Sequence, residues 1–315
     1  MSAFEELGIT PLVVERLQKK YSSAQEQTKE AFSFKWAKRE TYESEASRAA
    51  MKQWLFQKYC DGNSGTLTEW LRGGQKIILD AGCGAGFSSL LFFGDHLKNH
   101  DYLGVDISAS VETARQRFKE SGYPGEFLQC NLMDLPIPDQ SVDMIFSEGV
   151  LHHTDSTEKA VLYLSRKINK GGRFLFYIYA KKAEIREFTD DFIRDKIKGL
   201  SDEEAWEALK PLTKLGIEMG KSKTIINVPE DIPFLGIKKG EIDLQRFLYW
   251  NICKMYYRPE FSLDEMNHIN FDWFRPVNCH RQTPEEIKQW VQLAGLHIER
   301  LHIEEAGITV VAIKN

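Results

Sequence analysis

Long hydrophobic runs are missing from this sequence. Its densest apolar cluster, SSLLFFG at 88–94, is far too short to span a bilayer. Long basic runs are missing too. Acidic and basic residues are interleaved and the formal net charge is −5. No global positive field is therefore available to recruit nucleic acid or an anionic membrane. Cysteine is sparse, with five in all: Cys60, Cys83, Cys130, Cys253 and Cys279. The count is odd and no pair has C-x-x-C spacing, which disfavours a disulfide scaffold and a zinc site. The opening residues MSAFEELGIT have neither a basic stretch nor an apolar core, so they do not read as a signal peptide. These absences lead us to expect a cytoplasmic chain with no metal, no membrane partner and no nucleic-acid partner.

What is present is ordinary for a folded globular chain. The 315 residues are 42% hydrophobic and 28% charged, enough for a sizeable core. Residues 1–75 read as a helical N-terminal segment. Leu12, Val13, Leu17 and Tyr21 recur near helical spacing after Pro11. A second helix is expected from about Ser44 to Cys60, followed by a turn at DGNSG, 61–65. Between them lies AFSFKWAKRETY, 31–42, which reads as a packing helix or as a flap. Phe32, Phe34 and Trp36 alternate there, and Lys35 and Arg39 offer donors for a carboxylate.

From Lys76 the rhythm changes to strands alternating with helices. KIILD (76–80), DYLGVD (101–106), EFLQCN (126–131), SVDMIFSEG (141–149) and RFLFYIYA (173–180) read as strands. Helices are expected at 86–99, 108–121 and 156–169. This pattern predicts an α/β fold: a doubly wound, mostly parallel, seven-stranded, Rossmann-like sheet in a core at 76–180. Residues 181–282 break the rhythm and are rich in aromatics. That stretch is too long for a plain loop and is expected to be an inserted cap over the carboxyl edge of the sheet. Its aromatics form either a small core of their own or a substrate box. A helix at 283–295 and a hairpin, Leu296–Ile303 with Gly307–Lys314, complete the core.

The stretch LDAGCGAGF, 79–87, sits where open α/β sheets bind ligands, beyond the carboxyl end of the first strand. Its glycines, Gly82, Gly84 and Gly86, have G-x-G-x-G spacing. The dinucleotide fingerprint G-x-G-x-x-G/A needs a small residue where this chain has Phe87, and no GK[ST] follows for a P-loop. That disfavours a phosphate cradle and a nicotinamide dehydrogenase.

DAGCGAG resembles motif I of the class I S-adenosylmethionine-dependent methyltransferases. VDIS at 105–108, LQCNLMDLPIPDQSVDMIFSEGVLHH at 128–153 and KGGRFLF at 170–176 are similar to later segments of that family, in order. The resemblance covers roughly 76–180 and the tail 283–315. It implies S-adenosylmethionine as cofactor and S-adenosylhomocysteine as product. It implies cofactor contacts at Asp80 (methionine end), Gly82, Gly84, Gly86, Asp106 (ribose hydroxyls), Ile107, Asn131, Leu132 and Ser147. The family often has Asp where Asn131 stands; an amide oxygen still accepts a bond from the adenine amine, and Asp134 is the fallback.

His152 and His153, just past the fourth strand, are candidates for a general base or are simply loop histidines. Tyr177 is a further catalytic candidate. Of Tyr177 and Tyr179, one is expected to point toward the pocket. Trp36, Tyr179, Arg275 and His280 are candidate substrate contacts, although Arg275, His280 and Arg281 equally suit a solvated face. The expected activity is methyl transfer to a small-molecule acceptor held under the cap. Alternatives are a protein or RNA methyltransferase, or a noncatalytic cofactor-binding protein of the same fold.

Overall fold

The computed structural model describes residues 5, 7–9 and 21–315. The helix expected from Pro11 to Leu17 lies outside the described residues. The chain divides into two compact units. One comprises Met1–Ala37, Ala49–Ala180 and Asn278–Asn315; the other comprises Lys38–Arg48 and Lys181–Val277.

The first unit is built on a seven-stranded sheet. Its strands are β1 (Ile77–Ala81), β2 (Asp101–Asp106), β3 (Glu126–Gln129), β4 (Val142–Glu148), β5 (Ile168–Tyr179), β8 (Leu296–Ile303) and β9 (Gly307–Lys314). The order is β3-β2-β1-β4-β5-β9-β8. The first five run parallel, and β9 pairs antiparallel with both β5 and β8. β1 and β2 are almost wholly buried, which is why they read as continuous apolar runs rather than alternating ones. The connection order reverses between β1 and β4, where Asp80 stands in register with Phe146. That reversal is the expected ligand position of an open α/β sheet.

The helices of this unit are α1 (Ser23–Ala37), α2 (Glu45–Cys60, whose first turn belongs to the other unit), α3 (Ser64–Trp70), α4 (Phe87–Phe93), α5 (Ser110–Glu120), α6 (Thr157–Ser165) and α11 (Pro284–Leu293). Two expectations need correction. The stretch 31–37 is the end of helix α1, so Phe32, Phe34 and Trp36 follow helical and not strand geometry. The helix expected over 156–169 stops at Ser165, because Ile168 and Asn169 already belong to β5, where Ile168 pairs with Val142. α11 starts on a capping box of Thr283 and Glu286 with Pro284 in its first turn.

α2 is fastened to the sheet by a buried ion pair. Lys58 Nζ bonds Glu148 Oε1 at the end of β4, and Tyr59 Oη donates to Glu148 Oε2 at 2.7 Å. The Lys58 ammonium also lies 3.2 Å from the Trp54 ring centre and 3.9 Å from that of Tyr177. Burial pulls the Lys58 amine down to about 8, against the attraction of Glu148. Beside this pair, Tyr59, Phe92, Phe93 and Phe146 pack ring to ring at 5.2–5.5 Å.

The second unit contains α7 (Glu184–Ile197), α8 (Asp202–Ser222), α9 (Leu244–Asn251), α10 (Leu263–Phe274) and the hairpin β6–β7 (Ile225–Val228, Gly240–Asp243). Trp206, Tyr249, Phe271, Trp273 and Phe274 are buried in it, with Trp206 and Phe271 5.5 Å apart. Residues 38–48 are held there by a hydrogen bond between Thr41 Oγ1 and His268 Nδ1 at 2.8 Å and by one from Ser47 Oγ to Glu265 Oε1 at 2.9 Å.

Breaking one side of the Lys58–Glu148 pair strands a buried carboxylate. Lys58→Met is expected to lower unfolding free energy by about 3–5 kcal/mol in urea titrations. Lys58→Met with Glu148→Leu is expected to recover most of that loss. Equal losses in the single and double variants would contradict the clamp.

Candidate cofactor and active site

The glycine turn follows β1 directly. Gly82 and Cys83 donate their backbone N–H groups to the Val105 carbonyl at 2.7 and 2.9 Å. Gly86 N donates to Cys83 O at 2.8 Å, and Gly84 N donates to Asp106 Oδ2 at 2.9 Å. All four N–H groups thus have acceptors inside the protein. A phosphate cradle needs such groups pointing at the ligand, and these four do not. Gly82 and Gly84 have φ of +89° and +50°, where side chains are strained. A Cβ on Gly82 would collide with Val150, and one on Gly84 would lie 2.9 Å from the Trp36 indole. Gly86 is the N-cap of α4.

Asp106 ends β2 beside this turn. Its Oδ1 accepts from Ser108 N at 2.8 Å and Ser108 Oγ at 2.6 Å, while Oδ2 takes Gly84 N. A carboxylate has about four acceptor positions, so one remains for an outside hydroxyl. Burial raises the Asp106 carboxyl, while Ser108, Gly84 and the Lys35 ammonium pull it back down. Lys35 is itself buried on α1, 4.0 Å from the Trp36 ring centre. Ile107 is half-buried, and its carbonyl accepts from Gln129 Nε2 at 3.1 Å. At the end of β3, Asn131 Oδ1 accepts from Met133 N at 2.9 Å and caps a short turn that contains buried Leu132. Asp134 is exposed.

Three expected site residues do other work. Asp80 is buried, accepting from Ser89 Oγ on α4 and from Tyr102 Oη on β2 at 2.5 Å. It binds the elements around the turn to each other, a structural role that the sequence did not announce. Burial pushes its carboxyl up to about 7, more than those two hydrogen bonds pull it down. Ser147 Oγ donates to Ala81 O at 2.7 Å and is fully buried, so its side chain stitches β4 to β1 instead of meeting a cofactor. Arg275 lies in the second unit. Its guanidinium takes Asp202 Oδ1 at 2.6 Å and the carbonyls of Ile197 and Leu200 at 3.3 and 2.8 Å. That set closes the link between α7 and α8, so Arg275 is a structural residue rather than a substrate contact.

Beyond β4, His152 and His153 are brought together with Tyr179. The rings of His152 and Tyr179 are 3.9 Å apart, and those of His152 and His153 4.1 Å. Phe32 of α1 meets the His153 ring edge-on at 4.9 Å. His153 Nδ1 bonds the Asn278 carbonyl at 2.6 Å. His280 joins the same turn: its backbone N–H donates to His152 O at 2.9 Å, and its Nε2 to Thr154 O at 3.0 Å. Arg281 donates to Cys279 O at 2.7 Å. Tyr177 and Tyr179 are two residues apart, so they share one face of β5, and the expectation that only one faces the site is corrected. Their rings are 6.3 Å apart. Tyr177 lies against Trp54 and Lys58, while Tyr179 lies against the histidines. Trp36 lies on the glycine turn, which moves it from the acceptor to the cofactor side.

The residues missed from the sequence are Gln25, Thr28 and Asn278. Their contacts span more than 120 positions along the chain, and nothing local announces them.

Residues 79–176 match the family model described as "Methyltransferase domain". This segment is a methyltransferase domain. Within it lie the glycine turn, Asp106 and both histidines. The chain is 32% identical over 141 residues to an uncharacterized protein of Synechococcus sp., covering 42% of this chain and 31% of that one. It is 31% identical over 116 residues to the probable tRNA methyltransferase 9B of Mus musculus, covering 36% and 24%. The chain therefore spans about a quarter to a third of the length of these relatives. A solved S-adenosylmethionine-dependent methyltransferase from Aquifex aeolicus aligns with TM-score 0.42 and 13% identity over 80% of this chain and 90% of that one.

The donor set fits the family's cofactor. Gly82, Cys83, Gly84 and Gly86 spend their N–H groups inside the protein, and Asp106 keeps an acceptor position for a ribose hydroxyl.

Asp80 also sets a pH dependence. Its folded-state value of about 7 lies above the ordinary 3.8. The native state therefore holds a proton that the unfolded chain has lost, so this contribution to stability is full below about pH 4. It is lost as pH rises toward 7. Asp80→Asn is expected to flatten the fall in stability between pH 4 and 7, measured by urea midpoints. An unchanged slope would contradict the assignment.

Proposed function

We propose that this protein transfers a methyl group from S-adenosylmethionine to a small-molecule acceptor, with His153 as general base. The observation that supports this reading is the meeting, in one unit, of an Asp106-anchored glycine turn and a buried His152–His153–Tyr179 cluster beyond β4 and β5. The bound cofactor supplies an activated methyl on a sulfonium. What remains for the protein is alignment, exclusion of water and removal of a proton. Asp106 would hold a ribose hydroxyl and Asn131 the adenine amine. Tyr179 and Phe32 fix the His153 ring and keep water from it. Alignment is worth ~7–11 kcal/mol and a general base ~10²–10⁴ in rate, so positioning outweighs the base.

The acceptor class rests on charge and on chain order. The name of the mouse relative points to tRNA, but the net charge of −5 works against a polyanionic acceptor. We assign acceptor specificity to the insert Lys181–Val277, which follows the carboxyl end of β5 in the chain.

Two variants test the division of labour. His153→Gln is expected to slow transfer of labelled methyl across a metabolite panel by ~10²–10⁴. Calorimetry should show its S-adenosylmethionine affinity unchanged. Asp106→Asn is expected to weaken cofactor binding by about tenfold or more, since hydrogen bonds to a charged group are worth ~1.5–3 kcal/mol each. Full turnover by His153→Gln would remove it as base, and undiminished affinity in Asp106→Asn would remove the ribose assignment.

A further inference from the structure

We infer that helix α1 selects the tautomer of His153, through Asn278, so that Thr28 and Gln25 are positioning residues for the base. The inference rests on the reading of His153 as that base. A backbone carbonyl only accepts hydrogen bonds. The 2.6 Å contact between His153 Nδ1 and Asn278 O therefore places the proton on Nδ1 and leaves the lone pair on Nε2. Nε2 is then the nitrogen that can take a proton from an acceptor. His280 shows the opposite pattern: its Nε2 meets the Thr154 carbonyl, so Nε2 carries its proton.

Asn278 is fixed chiefly from α1. Its backbone N–H donates to Thr28 Oγ1 at 3.0 Å, and its side-chain amide donates to Gln25 Oε1 at 3.2 Å and Asp155 Oδ1 at 2.9 Å. Gln25 Nε2 in turn donates to the His153 carbonyl at 3.2 Å. Ser22 Oγ, just before α1, donates to Asp155 Oδ1 at 2.6 Å. Gln25, Thr28 and Phe32 are three and four residues apart, so they share one face of the helix. That face holds the backbone of His153, the carbonyl that fixes its ring, and the ring itself.

The test is long-range ¹H–¹⁵N spectroscopy on the full-length chain with ¹⁵N-labelled histidine at pH 8. Signals are assigned by their loss in His153→Gln and His280→Gln. His153 is expected as a single Nδ1–H tautomer and His280 as the Nε2–H tautomer. In Thr28→Val the single-tautomer signature of His153 is expected to be lost, while Thr28→Ser, which keeps the hydroxyl, restores it. Gln25→Leu provides a second route to the same loss. An Nε2–H tautomer at His153 in the wild type would overturn the inference. So would an unchanged tautomer in both Thr28→Val and Gln25→Leu. None of these readouts needs an acceptor. Full turnover by His153→Gln overturns the base and leaves the tautomer result standing, so the two failures are distinguishable.

Discussion

The hydrogen bond from Gly84 N–H to the Asp106 carboxylate joins the two ends that form the cofactor region. Through it, β2 dictates the path of the turn after β1. The same carboxylate holds Ser108 at the approach to α5. The turn needs glycine because its backbone bends through positive φ and because Val150 and Trp36 press on it. The N–H groups of Gly82, Cys83, Gly84 and Gly86 are satisfied internally before any ligand arrives. Preorganisation of this kind lowers the ordering cost of binding.

Helix α1 links that turn to the histidine cluster. One of its faces carries Gln25, Thr28, Phe32 and Trp36, running from the Asn278–His153 contact to the glycine turn. One helix therefore touches both the cofactor side and the base side of the proposed chemistry. Lys35 adds a buried cation near Asp106. On another side, Lys58 and Glu148 fasten α2 to the end of β4. The reacting region is thus bordered by two helices that precede the sheet in the chain.

Much of the core was legible from local pattern. β2, β8 and β9 have the bounds that their apolar runs and flanking turns imply. The glycine spacing and Phe87 set the turn apart from the dinucleotide fingerprint. What was not legible depends on partners distant in sequence. The bonds of Asp80 to Ser89 and Tyr102 have no local signal. Ser147 and Arg275 look available until Ala81 O and Asp202 take them. Of the two readings of 31–42, a packing helix or a flap, the helix holds through Ala37 and carries Trp36 to the glycine turn. The hairpin β6–β7 was missed because four-residue exposed strands carry little apolar signal.

The central claim is that the turn at 82–86 receives a methyl donor and not a pyrophosphate. Isothermal titration of the wild-type chain with S-adenosylhomocysteine and, separately, with NAD tests it most directly. The account predicts saturable one-site binding of S-adenosylhomocysteine and no heat with NAD. Saturable binding of NAD, or no binding of S-adenosylhomocysteine, would contradict it.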